Sequence, residues 1–330
     1  MVYCTHILEK DSETVMNGTN SEITERKKKT GVILPALLVM VLWGSLFPTV
    51  KLGYGLCGVD TSSPADILLF AGIRFTVCGA VICAFSFLRG GTSFRGSGLK
   101  TVGSAWGGVL LSGIFSVTLH YSCTYLALGM TASSKTAIIK QIGALLYVCC
   151  SFLFFKSDRL TKYKLIGAGI GFLGIIAINL DGGGGFSFGM GDVLILGASF
   201  CTVISNVISK KIFDRVEPVA ATGVSQLFGG LILLLTGLFM GGSCDLSGHG
   251  ALPVLLVICA VSVVSYCVWY VTVRRAELSK LFIIKFTEPL FACVFSAVLL
   301  HENILRWQYL AAFVLIAGGI LISHMEKHEK

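Results

Sequence analysis

The sequence predicts an all-α integral membrane protein of ten transmembrane helices, arranged as two inverted five-helix repeats. Three observations predict it: an apolar composition, basic loop residues confined to one side, and an internal repeat at a shift of 145 residues. Of the 330 residues, 54% are apolar and 13% charged, with a mean hydropathy of +0.82. Soluble domains carry about a quarter charged residues, so this composition calls for a bilayer. A transmembrane helix takes about 20 apolar residues. The chain beyond a polar head of 30 residues has room for ten such helices with their loops, which excludes a single-span receptor.

Residues 1–30 end in Arg26-Lys27-Lys28-Lys29 directly before the first apolar run. The apolar segment comes too late for a secretory signal and lacks a small-residue cleavage site, so the head reads as a disordered cytoplasmic tail. Apolar runs follow near 31–53, 66–88, 102–126, 132–155 and 162–180, making a first repeat of residues 31–180. An external linker, 181–190, holds the glycines Gly182 to Gly185. The second repeat, 191–325, has runs near 191–209, 218–240, 251–273, 279–300 and 305–323, and residues 326–330 form a short cytoplasmic tail. Lys and Arg concentrate in cytoplasmic loops. With the amino terminus inside, the internal segments hold 19 of the 26 Lys and Arg, and the external segments hold only Arg306. Both termini are therefore expected in the cytoplasm, and the formal charge of +8 reflects topology rather than nucleic-acid binding.

Most of the 12 cysteines lie in apolar runs, without the C-x-x-C spacing of a zinc site, and read as reduced thiols. Cys57 and Cys244 fall in loops on the same external side, where a disulfide is the alternative to free thiols. No metal site and no cofactor are expected.

The shift of 145 lays Tyr121 on Tyr266, Tyr125 on Tyr270, Ser134 on Ser279, Lys135 on Lys280 and Lys140 on Lys285 without a gap. Ile138 and Ile139 fall on Ile283 and Ile284, giving seven identities in twenty positions. A shared Y-x-x-x-Y followed by S-K-x-x-I-I-K is hard to obtain by chance from apolar composition. Because each unit has an odd number of spans, the second starts on the opposite side, and the units are inverted. Many secondary transporters have this plan, with substrate held near the midplane where the repeats meet.

Trp43-Gly44-Ser45-Leu46-Phe47-Pro48-Thr49-Val50-Lys51 resembles the opening W-G-S-x-F-x-x-x-K of the EamA-type members of the drug/metabolite transporter superfamily. Arg74-Phe75 sits where that family places R-F, and Gln226 occupies the position matching Arg74 in the second repeat. Glu288-Pro289 leading to Glu302, and Gly174 and Gly318 in the closing helices, extend the resemblance over about residues 31–325. It implies two five-helix repeats working by alternating access. One departure is Gly143-Ala144-Leu145, where the family has a proline matching Pro289. Span four is accordingly expected to be less kinked than span nine. The pair Lys140 and Lys285 is a second departure, so the resemblance does not name the substrate.

Intramembrane charge is costly, about 2.5–3.5 kcal/mol for a Lys or Arg at the helix centre. Lys51, Lys135 and Lys280 lie near span ends and are expected to reach the headgroups through their stems. Arg74 serves either packing or the site. Lys140 and Lys285 approach the midplane from opposite sides, each about 12 Å deep. Glu288, three residues after Lys285, is the only clearly intramembrane carboxylate, so the core is electropositive and favours an anion. The expected substrate-binding residues are Lys140, Lys285, Tyr121, Tyr266, Arg74, Gln226 and Trp43. Glu288 is read as a charge partner or coupling group, and His120 as a packing residue with a proton carrier as the alternative. Tyr125 and Tyr270, nearer span ends, fit the membrane interface. Gly167, Gly169, Gly171 and Gly174 are read as helix-interface glycines.

The expected function is secondary transport of a small organic metabolite, anionic or zwitterionic. Export of amino acids or hydrophobic drugs, with Lys140 and Lys285 structural, is the alternative. A nucleotide-driven pump lacks its G-x-x-x-x-G-K-[ST] loop, and a membrane enzyme lacks clustered His, Asp or Glu at one face. The expected partners are the substrate and the lipid bilayer, with a homodimer left open. A bacterial inner membrane is the expected location, a eukaryotic endomembrane the alternative.

Overall fold

In the computed structural model, the described residues are 33–89, 102–103, 105–143, 145–146, 161–180, 187–212, 215–275, 284–285 and 287–325. The expectations for the amino-terminal tail, the glycine run Gly182 to Gly185, Lys280 and residues 326–330 lie outside them. The described residues are helical, with no strand element among them. In chain order the helices are α1 (Ile33–Leu56), α2 (Pro64–Arg89), α3 (Trp106–Met130), α4 (Ser133–Lys140) and α5 (Lys162–Ile178). They continue as α6 (Met190–Ile212), α7 (Pro218–Phe239), α8 (Ala251–Arg275), α9 (Glu288–Leu300) and α10 (Trp307–His324).

Six helices are long and apolar enough to cross a membrane: α1, α2, α3, α7, Met190–Ser209 of α6 and Ala251–Trp269 of α8. The shorter α4, α5, α9 and α10 stand where the sequence predicts four further spans. Much of predicted spans four and nine, residues 147–155 and 279–283, lies outside the described residues. Local chemistry sets the start of α7. The Glu217 carboxylate accepts from the Ala220 amide at 2.6 Å and Pro218 occupies the first turn, where its missing N–H costs nothing.

Apolar side chains gain little by leaving lipid for one another, so the helices must approach closely to pack. The most extensive contact joins α2 to α7. Gly72 and Gly79 on α2 lie against the backbone of Leu234 and Leu227, and Gly230 and Gly237 on α7 lie against α2 in return. A Cβ on Gly230 would meet the Thr76 nitrogen at 2.5 Å, and one on Gly237 would meet the Leu69 nitrogen at 2.5 Å. Spacings of seven keep these glycines on one helix face. Of the glycines singled out in the sequence, Gly174 packs on Ile316 and Gly171 on Leu145, whereas a Cβ added at Gly169 or Gly318 would meet no other element within 4 Å among the described residues. Gly319 instead makes the close approach to the Gly167 carbonyl that joins α5 to α10.

The α1–α2 and α7–α8 loops are tied together. Asp66 accepts from the amides of Asp60 and Ser243, and the Asp245 amide donates to the Cys57 carbonyl at 2.9 Å. Cys57 and Cys244 are free but share a thiol hydrogen bond, so the two loops do meet where the sequence put both cysteines on one side. Burial pushes the Cys57 thiol up, and burial together with Cys57 pushes Cys244 up to about 12.

Two outcomes follow from these contacts. Gly230→Leu should lower the melting temperature in detergent by an amount corresponding to about 1–3 kcal/mol, the usual cost of overpacking; an unchanged melting curve would show that the helices do not meet there. Alkylation of Cys244 by iodoacetamide, followed by mass spectrometry, should rise with pH beyond 10 rather than level off near 9, because only the thiolate reacts.

Candidate functional site

Two helix ends meet at the candidate site. α4 ends at Lys140, where the Gln141 amide bonds back three residues to the Ile138 carbonyl at 3.1 Å. In the second half the Thr287 amide and hydroxyl both bond the Ile284 carbonyl, at 3.0 and 2.7 Å, immediately before α9 starts at Glu288. α4 thus ends with no proline in it. The Lys140 carbonyl also accepts from the Ser199 hydroxyl of α6, at 3.4 Å. In this arrangement Lys140 sits at the negative end of a helix and Glu288 at the positive end of another, each favoured by the local dipole.

α3 is also irregular. A π-helical turn, Ile114–Leu119, directly precedes His120 and Tyr121, next to the close approach of Gly113 and Gly229 that joins α3 to α7. Such turns recur at functional sites because they re-aim side chains. Nothing in the residue pattern announces this one.

These elements enclose a cavity of about 140 Å³, close to the volume of an engineered cavity that takes up benzene. Of the residues singled out in the sequence, Trp43, Arg74, His120, Tyr121, Lys140, Tyr266, Lys285 and Glu288 line it. Gln226 does not; it lines a smaller neighbouring cavity. Trp43 is brought to the wall by Gly44, whose missing side chain leaves room for Phe291 and the Glu288 carbonyl of α9.

Arg74 is 2% exposed and held by neutral oxygens. Its Nε and Nη2 donate to the Ser262 hydroxyl of α8 at 3.1 and 2.7 Å, and its Nη1 donates to the Tyr125 hydroxyl. The guanidinium also lies 4.6 Å from the centre of the Phe75 ring. Lys140 Nζ stands over Phe47 at 5.0 Å and Tyr121 at 5.9 Å, and Lys285 Nζ over Trp43 at 5.9 Å. These cations face aromatic rings, and neither lysine forms an ion pair among the described residues. No ion pair within 4.0 Å joins Glu288 to Lys285 among the described residues, although Glu288 is close enough to Lys140 to attract its charge. Glu288 is 2% exposed, and its Oε2 has no hydrogen-bond partner among the described residues.

The other buried acids are committed elsewhere. Glu302 accepts from the amides of Ser133 and Ser134 and the Ser134 hydroxyl, at 2.8, 3.1 and 2.6 Å, capping α4. Lys51 Nζ lies 4.0 Å from Glu302 and donates to the Thr131 carbonyl at 2.8 Å. Lys135 pairs with Asp192 at 3.0 Å. Both lysines thus have protein partners. The residue pattern underrated Glu302, whose acid lies far along the chain from the helix it caps.

Tyr125 is a further correction. It is 1% exposed, touches Arg74 and lines the cavity, so it belongs to the site rather than to the membrane interface. Tyr121 and Tyr266, laid on one another by the repeat, meet through their hydroxyls. His120 bonds the Ala198 carbonyl through Nδ1 at 2.9 Å, with the Thr202 hydroxyl at 3.0 Å, a packing role at the cavity wall. No group of three or more His, Cys, Asp or Glu among the described residues is arranged to hold a metal.

Glu302→Gln keeps the shape of the cap and removes its charge. Thermal unfolding in detergent should show a loss on the order of 2 kcal/mol, the scale of a charge-assisted hydrogen bond. An unaltered midpoint would deny the cap any structural weight.

The sequence model of the EamA-like transporter family matches residues 30–180 and 189–324. The uncharacterized transporter YvbV of Bacillus subtilis is 26% identical, covering 92% of this chain and 94% of that protein. An uncharacterized transporter of Archaeoglobus fulgidus is 23% identical, with 91% and 99% covered. A chloroplastic WAT1-related protein of Arabidopsis thaliana is 26% identical over 78% of this chain and 63% of its own length. A solved crystal structure superposes with a TM-score of 0.63 at 20% identity, covering 91% of this chain and 99% of that one, which supports the fold. With both matched segments together spanning most of its length, the chain belongs to the EamA-like transporter family.

Proposed function

We propose that the protein is a secondary transporter of a small organic anion, working by alternating access around the cavity between its two halves. The observation that carries this is the charge of the cavity wall: Arg74, Lys140 and Lys285 against the single acid Glu288 among the lining residues. An anion supplies the missing counter-charge where water is scarce and fixed charges interact strongly.

The plan of ten spans in two inverted repeats, 31–180 and 191–325, belongs to the same proposal. It is supported by the meeting of Tyr121 with Tyr266 and by the interruptions at Lys140 and before Glu288, which fall at repeat-related positions. Contacts between the halves, Lys51 with Glu302 and Lys135 with Asp192, would have to part for the opposite access state. The loop charges favour cytoplasmic termini, which puts these contacts at the outer face. Bacterial relatives favour an inner-membrane location.

A second reading draws on Glu288. Its buried, unpartnered Oε2 suits a substrate ammonium, which favours an amino acid.

Ligand-induced thermal stabilisation of the purified protein separates these readings. Anions such as succinate or propyl phosphate should stabilise it, and Lys140→Gln and Lys285→Gln should each weaken that response at least about tenfold, or 1.4 kcal/mol, while remaining folded. Stabilisation by neutral or cationic compounds alone, undiminished in both variants, would overturn the anion site. Amino-acid binding lost in Glu288→Gln would establish the second reading.

A further inference from the structure

Beside the charged cavity lies a second one of about 30 Å³. The two share Ser116 and Tyr266 as wall, so they are neighbours. Their chemistry differs. The small cavity is lined by Ser112, Ser116, Ser209, Thr222, Ser225 and Gln226, with no charged side chain among its described lining residues.

Gln226 is 2% exposed, yet neither its Oε1 nor its Nε2 has a hydrogen-bond partner among the described residues. A buried amide left unpaired at both ends is expensive, and native structures rarely keep one without a purpose. Its neighbours do not relieve it. Ser225 already donates to the Val109 carbonyl at 3.0 Å and Thr222 to the Pro218 carbonyl at 2.7 Å. The missing partner must both donate and accept. A bare cation would satisfy Oε1 and leave Nε2 facing positive charge; a bare anion would do the reverse. A hydroxyl or a carboxamide satisfies both atoms, and about 30 Å³ is the room one such group needs.

We infer that the small cavity is a subsite for a hydroxyl or carboxamide group of the substrate, held by Gln226 while the anionic group of the same molecule occupies the charged cavity. This rests on the anion reading above and sharpens it: the substrate is a small anion with a neutral hydrogen-bonding group at its other end. The family resemblance pairs Gln226 with Arg74, so on this reading one arm of the pair offers a cation and the other an amide. Ser116, common to both walls, lies where the two ends of the substrate join.

The test compares probe pairs that differ only in hydroxyls, glycerol 3-phosphate against propyl phosphate and glycerate against propionate, by thermal stabilisation and direct binding. Wild-type protein should prefer the hydroxylated member at least about tenfold, since a site built to pair a polar group rejects the analogue lacking it. In Gln226→Leu that preference should fall to within about twofold, with affinity for propyl phosphate and propionate retained. Ser116→Ala should reduce it partially, which keeps the test open if the leucine variant does not fold. Equal binding of both members to the wild type, as expected of a cavity that holds only water, overturns the subsite and leaves the anion reading standing. A preference that persists in both variants also overturns it. If no probe of either pair binds, the anion reading fails and the subsite falls with it.

Discussion

A cation inside a bilayer has to be compensated by its surroundings, and the placement of compensating groups organises this structure. Lys51 and Lys135, near the helix ends, have Glu302 and Asp192. Arg74 has serine and tyrosine oxygens and the faces of three aromatic rings. Lys140 and Lys285 have ring faces alone among the contacts described. Neutral oxygens and aromatic quadrupoles lower the cost of a buried charge without cancelling it. Acid is used up at the ends of the helices and is scarce at the centre, so the cavity keeps a positive field. The glycine contacts serve this arrangement by holding α2, which carries Arg74, against α7, which carries Gln226.

How much of this could be read from the residues depends on the range of the physics involved. Periodicity and loop charge are local and cumulative, and the apolar helices α1, α2, α3 and α7 fall close to the runs read from them. Tyr121 meets Tyr266, and both lysines line one cavity, as the proposed inverted repeat requires of equivalent positions that converge on a common axis. Counting residues gives depth along a helix and says little about its azimuth. Depth alone reads Tyr125 at the interface, whereas its azimuth on α3 aims it at Arg74. Lys51 and Glu302 are 251 positions apart, and only the packed chain brings them together.

The end of α4 exposes a different limit. A proline forces a break by removing one donor, but α4 ends at Lys140 with no proline in it, the next amide bonding back three residues to Ile138. Sequence shows the first kind of break and hides the second. The consequence is the same at both positions: each interruption leaves a helix end at the cavity, where backbone groups add their partial charges to those of the side chains.

On the proposed reading, two neighbouring cavities of different character divide the work of recognition. Coulomb attraction is long-ranged and tolerant of geometry, so three cations around a small volume draw in almost any anion and discriminate poorly between them. Hydrogen bonds are short and directional, and an unpaired buried amide penalises every ligand that fails to complete it. A wall charged on one side and neutral on the other thus separates capture from selection. Ser116 and Tyr266, which belong to both walls, are where the two meet, and Tyr266 reaches from there to its repeat-related partner Tyr121. Any relative movement of the two halves must act on that tyrosine pair, so a ligand spanning both cavities bears directly on the contact that joins them.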